Sequence, residues 1–374
     1  MRTDKIGIYV HVPFCVKKCN YCDFCSFPLN SFSDEERSAY VSALCSEIDG
    51  YKGLRIEADT VFIGGGTPSL LSGQDIYKIR EHIEAAFSIS SAAEFTLEVN
   101  PKTLTEENLS AYINAGVNRI SIGLQTIHKN ELKKLGRIHS YNDFLDTYNL
   151  AREFGINNIN VDLMYGIPNQ TIASFEETLK TVLSLSPEHI SLYGLILEEN
   201  TPLFKIKDSL VLPTEDTECD MYDLATNMLR GHGYSHYEIS NYAKAGRECR
   251  HNLKYWRAEE YIGFGLSAHS YFDGKRFANT SSFCDYLNEP ISILGSDTLT
   301  FEDKRSEYAM LRLRLSEGFS PSEYLRLFGE DFLHSRASAL KRFHEGGYIN
   351  LGDDRISLTE RGFYVSNSII SELM

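Results

Sequence analysis

Cys15, Cys19 and Cys22 fall within eight residues of one another, in the stretch YVHVPFCVKKCNYCDFCSF. Three thiols this close can wrap one compact inorganic object, and thiolates select zinc, copper(I) or iron–sulfur clusters. A zinc site usually pairs two short Cys/His hooks separated by a dozen or more residues. Here all the local candidates, Cys25 included, crowd into one loop, and no second hook of that kind follows. A disulfide framework suits a small secreted chain, not one of 374 residues. The donor set therefore favours an iron–sulfur cluster over zinc. Three thiolates on a four-iron cubane leave one iron open for a substrate or cofactor, unless Cys25 joins them. Lys17 and Lys18 lie inside the loop, where they either lower the thiol pKa values or are simply solvated. The remaining cysteines, Cys45, Cys219, Cys249 and Cys284, are scattered, and buried free thiols are the plain reading of them.

The elements that must position this loop alternate in type. Short β-type runs at 6–14, 60–63, 94–99, 119–124, 159–164 and 189–196 are separated by helical patterns at 34–51, 74–87, 106–115, 141–154 and 174–185. Such alternation implies parallel strands joined by right-handed crossovers. Six units are too few for a closed eight-fold barrel. An open, partial (β/α)6 barrel is the expected fold, with a flat doubly wound sheet as the runner-up.

The ends of these strands carry the unusual residues. Gly64-Gly65-Gly66-Thr67-Pro68 follows the second, and Glu98 and Asn100-Pro101 end the third. Gln125 closes the fourth, with Gly136-Arg137 soon after, and Asp162 lies in the fifth before Gly166-Ile167-Pro168. In barrel-like α/β folds the site forms where the loops after the strands converge, and the cysteine loop belongs to the same face. Each residue also has a plainer reading. The glycines could make a tight turn, Asp162 could cap a helix or pair with a lysine, and Gln125 could satisfy a buried backbone group. Their joint appearance at successive strand ends favours a site.

The region 234–269 is rich in Tyr and holds the single Trp, Trp256, together with His236, His251 and His269. Aromatic walls with an imidazole suit a flat apolar ligand carrying a metal, and imidazole is a common axial ligand of heme iron. Spacing alone favours buried histidines in an aromatic core. Beyond Asn288 the polar stretch 295–300 reads as a boundary, which divides the chain into 1–290 and 300–374. Helical pieces around Tyr308, Leu311 and Leu315, at 321–328 and at 332–344, followed by two strands about a Gly-Asp-Asp turn, suggest a small winged-helix-like α+β domain. Residues 301–374 hold 10 Lys/Arg against 12 Asp/Glu, so packing or lid duty fits that domain better than reading a DNA groove. The formal net charge of the whole chain is −15, which argues against a nucleic-acid partner. No apolar run is long enough to span a bilayer. The opening MRTDKIGIYVHVPF lacks the shape of a signal peptide, so a reducing, cytoplasmic location is expected.

Together these residues resemble the coproporphyrinogen dehydrogenase group of radical S-adenosylmethionine (SAM) proteins over nearly the entire chain. The spacing C-x3-C-x2-C carries the radical SAM part of the resemblance. Further stretches are FIGGGTPS, LEVNP, RISIGLQT, LGRIHS, VDLMYGIPNQT and YEISNYA, and HNLKYW is similar to the HNxxYW pattern of the group's heme chaperones. The resemblance implies a 4Fe-4S cluster on Cys15, Cys19 and Cys22. It implies SAM contacts from Tyr9, Gly65, Gly66, Thr67, Glu98, Gln125, Arg137 and Asp162, and heme contact by His251. The dehydrogenases carry a fourth Cys two places after the third, in CxxxCxxCxC, and here that position is Phe24. They also have a longer segment before the cluster loop. Both departures, with HNLKYW, favour a heme chaperone that passes heme to an acceptor protein and draws on an electron donor. Oxygen-independent oxidation of coproporphyrinogen III is the alternative, and a radical SAM enzyme on an unrelated substrate is a third.

Overall fold

Which residues alternate along each strand decides which face of the sheet is packed and which is left open. The computed structural model describes residues 5–54, 56–291 and 293–374. Six strands follow one another: β1 (Lys5–Val12), β2 (Glu57–Gly65), β3 (Ser88–Val99), β4 (Arg119–Gln125), β5 (Ile159–Tyr165) and β6 (His189–Gly194). They are parallel neighbours in sequence order. A doubly wound sheet would reverse its strand order at a switch point. None occurs among these six, so the open half-barrel holds.

Ile8, Val10, Ile63, Leu97, Ile120, Ile122, Val161 and Leu163 are fully buried and share one core with Ile76, Ile79, Leu109, Phe144 and Phe175 from the intervening helices. Burying each such side chain stabilises the fold by about 1.5–3 kcal/mol. The alternate residues point to the other face. These are polar: Thr60, Glu94, Thr96, Glu98, Arg119, Ser121, Asn160, Asp162, His189 and Ser191. They bond to one another across strands, as in Arg119 to Thr96, Asn160 to Ser121 and His189 to Asn160. A parallel strand buried on both faces is usually apolar throughout. This half-barrel has a polar interior instead.

The helices begin at capping boxes, Ser33 with Glu36, Ser72 with Asp75, Ser140 with Asp143 and Thr171 with Ser174. Each satisfies two backbone amides that the first helical turn leaves free.

The sheet extends beyond the expected six strands. Tyr261–Phe264 lies parallel to β1 on its free side, and His269–Phe272, Lys275–Asn279 and Ile293–Thr298 follow antiparallel. At the opposite edge Asn241–Ala243 and Ser235–Glu238 add to β6. The stretch 295–300, expected as a boundary, is thus largely an edge strand. All residues of Ile293–Thr298 are exposed, so no burial pattern marked it in the sequence.

Residues 301–374 build most of a second core, on Tyr308, Phe319, Tyr324, Phe332, Leu340 and Ile356, which Tyr222 joins from the first part of the chain. Helices Phe301–Arg312, Pro321–Phe328, Phe332–Ser335 and Ala337–Glu345 precede a hairpin, Ile349–Gly352 with Arg355–Leu358. Phe319 bridges to Ile356 and adds a third strand position to that wing. The first helix stops at Arg312, so Leu315 lies beyond it, and the helical stretch expected at 332–344 breaks at Arg336. Two further helices, Glu360–Tyr364 and Ser366–Leu373, end the chain.

Candidate functional site

The cysteine loop starts two residues after β1 ends. Its neck is closed by a short parallel pairing of Phe14–Cys15 with Phe27–Pro28, and the Phe27 amide donates to the Pro13 carbonyl at 2.8 Å. The end of β2 lies directly on this neck, where the Gly66 amide donates to the Val12 carbonyl at 2.7 Å. A Cβ on Gly66 would stand 2.6 Å from the Phe14 carbonyl oxygen, so only glycine permits that approach. At Gly65, φ is +108° and a Cβ would meet the His11 ring at 2.5 Å. The glycines thus seat backbone and a histidine against one another.

Cys15 is buried, and Cys19, Cys22 and Cys25 are half-buried. The Thr67 hydroxyl donates to Cys15 Sγ at 3.6 Å, and the Arg137 guanidinium counters the cost of burying a Cys19 thiolate. Among the described residues no three ligating side chains are arranged around a single ion. Thiolates that bind separate irons of a cubane need no common centre, so the donor set suits a cluster better than one zinc. Cys25 is placed differently. Its carbonyl accepts from His11 Nε2 at 2.7 Å, and its side chain packs against the apolar core. Tyr9 Oη donates to His11 Nδ1 at 3.0 Å, which joins Tyr9, His11 and the far end of the loop in one chain of bonds. Lys18 Nζ donates to the Phe24 carbonyl. Of the scattered cysteines, Cys45 and Cys249 are buried, but Cys219 is half-buried and Cys284 is exposed, so the buried reading fails for two of them.

Arg137 follows the left-handed Gly136 that ends helix Lys129–Leu135. Its Nη1 donates to Asn100 Oδ1 at 2.6 Å and its Nη2 to the Tyr21 hydroxyl at 2.8 Å. Both partners are neutral, and among the described residues the buried Nε has no hydrogen-bond partner. A guanidinium held in this way suits an incoming carboxylate. Asn100 Nδ2 donates to Thr67 Oγ1 at 2.6 Å, so Arg137, Asn100, Thr67 and Cys15 form a continuous run from the strand ends to the first thiol.

Glu98 Oε2 accepts the Gly65 amide at 3.0 Å. Burial, reinforced by the nearby Asp162 charge, pushes the Glu98 carboxyl up to about 8. Asp162 accepts from Asn160 Nδ2 at 2.7 Å and from Ser121 Oγ at 3.4 Å, so it neither caps a helix nor pairs with a lysine. Gln125 is buried at the end of β4 with φ +70°, a strained conformation for a residue with a Cβ and one that tends to mark functional sites. Tyr9, Gly65, Gly66, Thr67, Glu98, Gln125, Arg137 and Asp162 therefore share the polar interior or its upper rim. The sequence reading placed Asn100 at a strand end without a role, and it missed His11, Tyr21, Ser121 and Asn160. The signal for His11, Ser121 and Asn160 was the polar alternation within otherwise apolar strands, whereas Tyr21 lies in the loop and had none.

A SAM ammonium placed at Glu98, as the resemblance implies, would require the ionised carboxylate. Glu98→Ala is expected to weaken SAM binding roughly tenfold or more, the effect of losing a charged hydrogen bond. In the unaltered protein affinity should rise as pH climbs through about 8, because the carboxyl is protonated below that value. Glu98→Gln should flatten this component of the pH profile. Calorimetry that finds equal affinities for Glu98→Ala and the unaltered protein would contradict the placement.

The lower end of the interior is filled by helix Arg250–Trp256, which carries HNLKYW. Its first amides, of Arg250 and His251, donate to the Glu94 carboxylate at 3.1 and 3.2 Å. Lys254 is 4% exposed and pairs with Asp59 at 2.9 Å and Glu259 at 3.1 Å. His251 is 1% exposed. Its Nδ1 is bonded to Thr60 Oγ1 and its Nε2 to the Tyr255 hydroxyl, each at 2.8 Å. Burial, with Lys254 and Arg119 nearby, pushes the imidazole down to about 3, so it is neutral. As folded, neither ring nitrogen is free for iron. His236 stacks on Tyr242 at 4.4 Å, and His269 is exposed.

Comparison with known proteins places these features among relatives. Residues 9–182 match the radical SAM superfamily and residues 299–365 the HemN C-terminal domain. The chain is 36% identical to the heme chaperone HemW of Bacillus subtilis (strain 168), over 98% of both chains. It is also 36% identical to the heme chaperone HemW of Escherichia coli (strain K12), over 98% of this chain and 97% of that one. A zebrafish (Danio rerio) protein, the mitochondrial radical S-adenosyl methionine domain-containing protein 1, is 32% identical over 98% of this chain and 86% of its own length. Among solved structures, coproporphyrinogen III oxidase (HemN) from Escherichia coli superposes with a TM-score of 0.85 at 22% identity, covering all of this chain and 91% of that one.

Proposed function

The chain belongs to the heme chaperone HemW family, within the radical SAM superfamily, and from that premise we propose that it binds heme and hands it to an apoprotein acceptor. The observation that carries this reading is the end-to-end match to heme chaperones, at 36% identity over 98% of both chains. A 4Fe-4S cluster and SAM belong to the same reading. Cys15, Cys19 and Cys22 would hold the cluster, and the residues from Tyr9 to Asp162 around the upper rim would hold SAM. When bound, that pair supplies one-electron chemistry. The chain's own part is to orient and shield. Arg137 and Glu98 meet the opposite charges of an amino acid head group, and Asn100 and Thr67 tie that head group's partners to the loop.

An apolar, dianionic macrocycle would find exposed Phe24, Ile138, Ile196 and Val211 in the loops after the strands. Lys17, Lys205 and Lys207, also exposed in those loops, suit its two carboxylates. An acceptor protein and an electron donor complete the scheme. Among the described residues no helix is long and apolar enough to cross a membrane. The free thiols suit a reducing, cytoplasmic setting.

The rival activity is conversion of coproporphyrinogen III propionates to vinyl groups. Phe24 at the fourth-Cys position speaks against it. Anaerobic incubation of the reduced, cluster-loaded protein with SAM and coproporphyrinogen III should yield no protoporphyrinogen, while heme titration gives a saturable absorption change. Accumulating protoporphyrinogen would replace the chaperone reading with the enzymatic one.

A further inference from the structure

His251 sits in the segment that resembles a heme-contact motif, yet everything around it faces the other way. Its ring is stacked on Phe62, with centroids 5.4 Å apart at 29°, and it lies 6.5 Å from the Tyr9 ring. Tyr9 and Phe62 are themselves stacked at 6.3 Å. Gly7 makes room for this packing, since a Cβ there would lie 3.1 Å from His251 Cε1. From Tyr9 the contacts run on through His11 to the Cys25 carbonyl, at 3.0 and 2.7 Å. Helix Arg250–Trp256 therefore connects by direct contacts to the far end of the cysteine loop, past the residues around Glu98.

We propose that His251 is a positioning residue for the cysteine loop and not an iron ligand. Its two hydrogen bonds, to Thr60 and Tyr255, fix the ring against Phe62 and Tyr9. Tyr9 and His11 in turn fix the loop at Cys25. A shift of helix Arg250–Trp256 changes where the loop carries its thiols, so the motif segment and the cluster are coupled through packed rings and two hydrogen bonds. Only the heme arm of the test rests on the proposed function. The cluster arm stands without it.

The test uses the full chain, reconstituted anaerobically, with four variants: His251→Ala, His251→Gln, Tyr9→Phe and the double variant His251→Ala with Tyr9→Phe. The readouts are the electron paramagnetic resonance spectrum of the reduced cluster with SAM present, and the Soret band during titration with hemin. His251→Ala and Tyr9→Phe should each alter the cluster spectrum. Combining them should change it little further, because they cut one chain of contacts. The Soret position should stay that of the unaltered protein in His251→Ala, and heme affinity should stay within about twofold, less than the loss of one hydrogen bond would cause. Glutamine retains two hydrogen-bonding ends without an imidazole, so His251→Gln should keep both spectra and serves if the alanine variant does not fold. A Soret shift in either His251 variant overturns the proposal in favour of ligation. A folded His251→Ala protein with an unchanged cluster spectrum overturns it in favour of a purely structural histidine. If the unaltered protein takes up no hemin, the proposed function fails and the cluster spectra alone decide this one.

Discussion

Replacing Cys15, Cys19 or Cys22 with alanine will abolish the broad iron–sulfur absorbance of the anaerobically reconstituted protein, whichever of the three is chosen. Each thiolate would bind a separate iron of the cubane, so none can substitute for another. Cys25 is not placed to replace one of them, since its carbonyl is held by His11 and its half-buried side chain packs against the core. Cys25→Ala should accordingly retain the absorbance with SAM present. The loop neck, pinned at Phe14–Cys15 and by the Gly66 amide, does not depend on any thiol except through Cys15. The Cys19 and Cys22 variants should therefore remain folded, with circular dichroism like that of the unaltered chain. Iron and sulfide analysis decides the matter. Stoichiometric zinc in the purified protein, or full iron content in any one of the three variants, would defeat the assignment.

Glu94→Ala is expected to have the largest effect on stability of any exchange in the polar interior. Glu94 is 6% exposed, and its two oxygens accept the Arg250 and His251 amides and the Cys249 thiol. It is also one of the negative charges that face the fully buried Arg119. Alanine would leave two helix-terminal amides unsatisfied and remove a counter-charge. A hydrogen bond to a charged group contributes about 1.5–3 kcal/mol, so the loss is about 3–5 kcal/mol out of a typical ~5–15. The thermal midpoint should fall by roughly 5–10 °C. Glu94→Gln keeps an acceptor and should fall less. A midpoint for Glu94→Ala within about one degree of the unaltered protein would mean that helix Arg250–Trp256 is held in place by something other than this cap.

The sequence by itself determined the six strands and their helices, because apolar residues recur at two-residue spacing in the strands and at helical spacing between them. It also determined that a thiol-rich loop follows the first strand, and that Glu98, Gln125, Arg137 and Asp162 belong to one end of the sheet. Parallel strands joined by helices must all present their carboxyl ends on one side, so order along the chain suffices for that. Tertiary structure alone decided what each residue touches. Gly66 serves a backbone contact with Phe14, and Asn100 bridges Arg137 to Thr67 across segments far apart in the chain. The edge strand Ile293–Thr298 could not be read because nothing along it is buried. His251 is the clearest case. A histidine amid tyrosines reads equally well as a ligand or as a core residue, since spacing records neighbours along the chain and not across it. Only the fold brings Thr60 to one ring nitrogen and Tyr255 to the other. Whether an imidazole has a lone pair to give to iron depends on those partners, and the partners are set by packing.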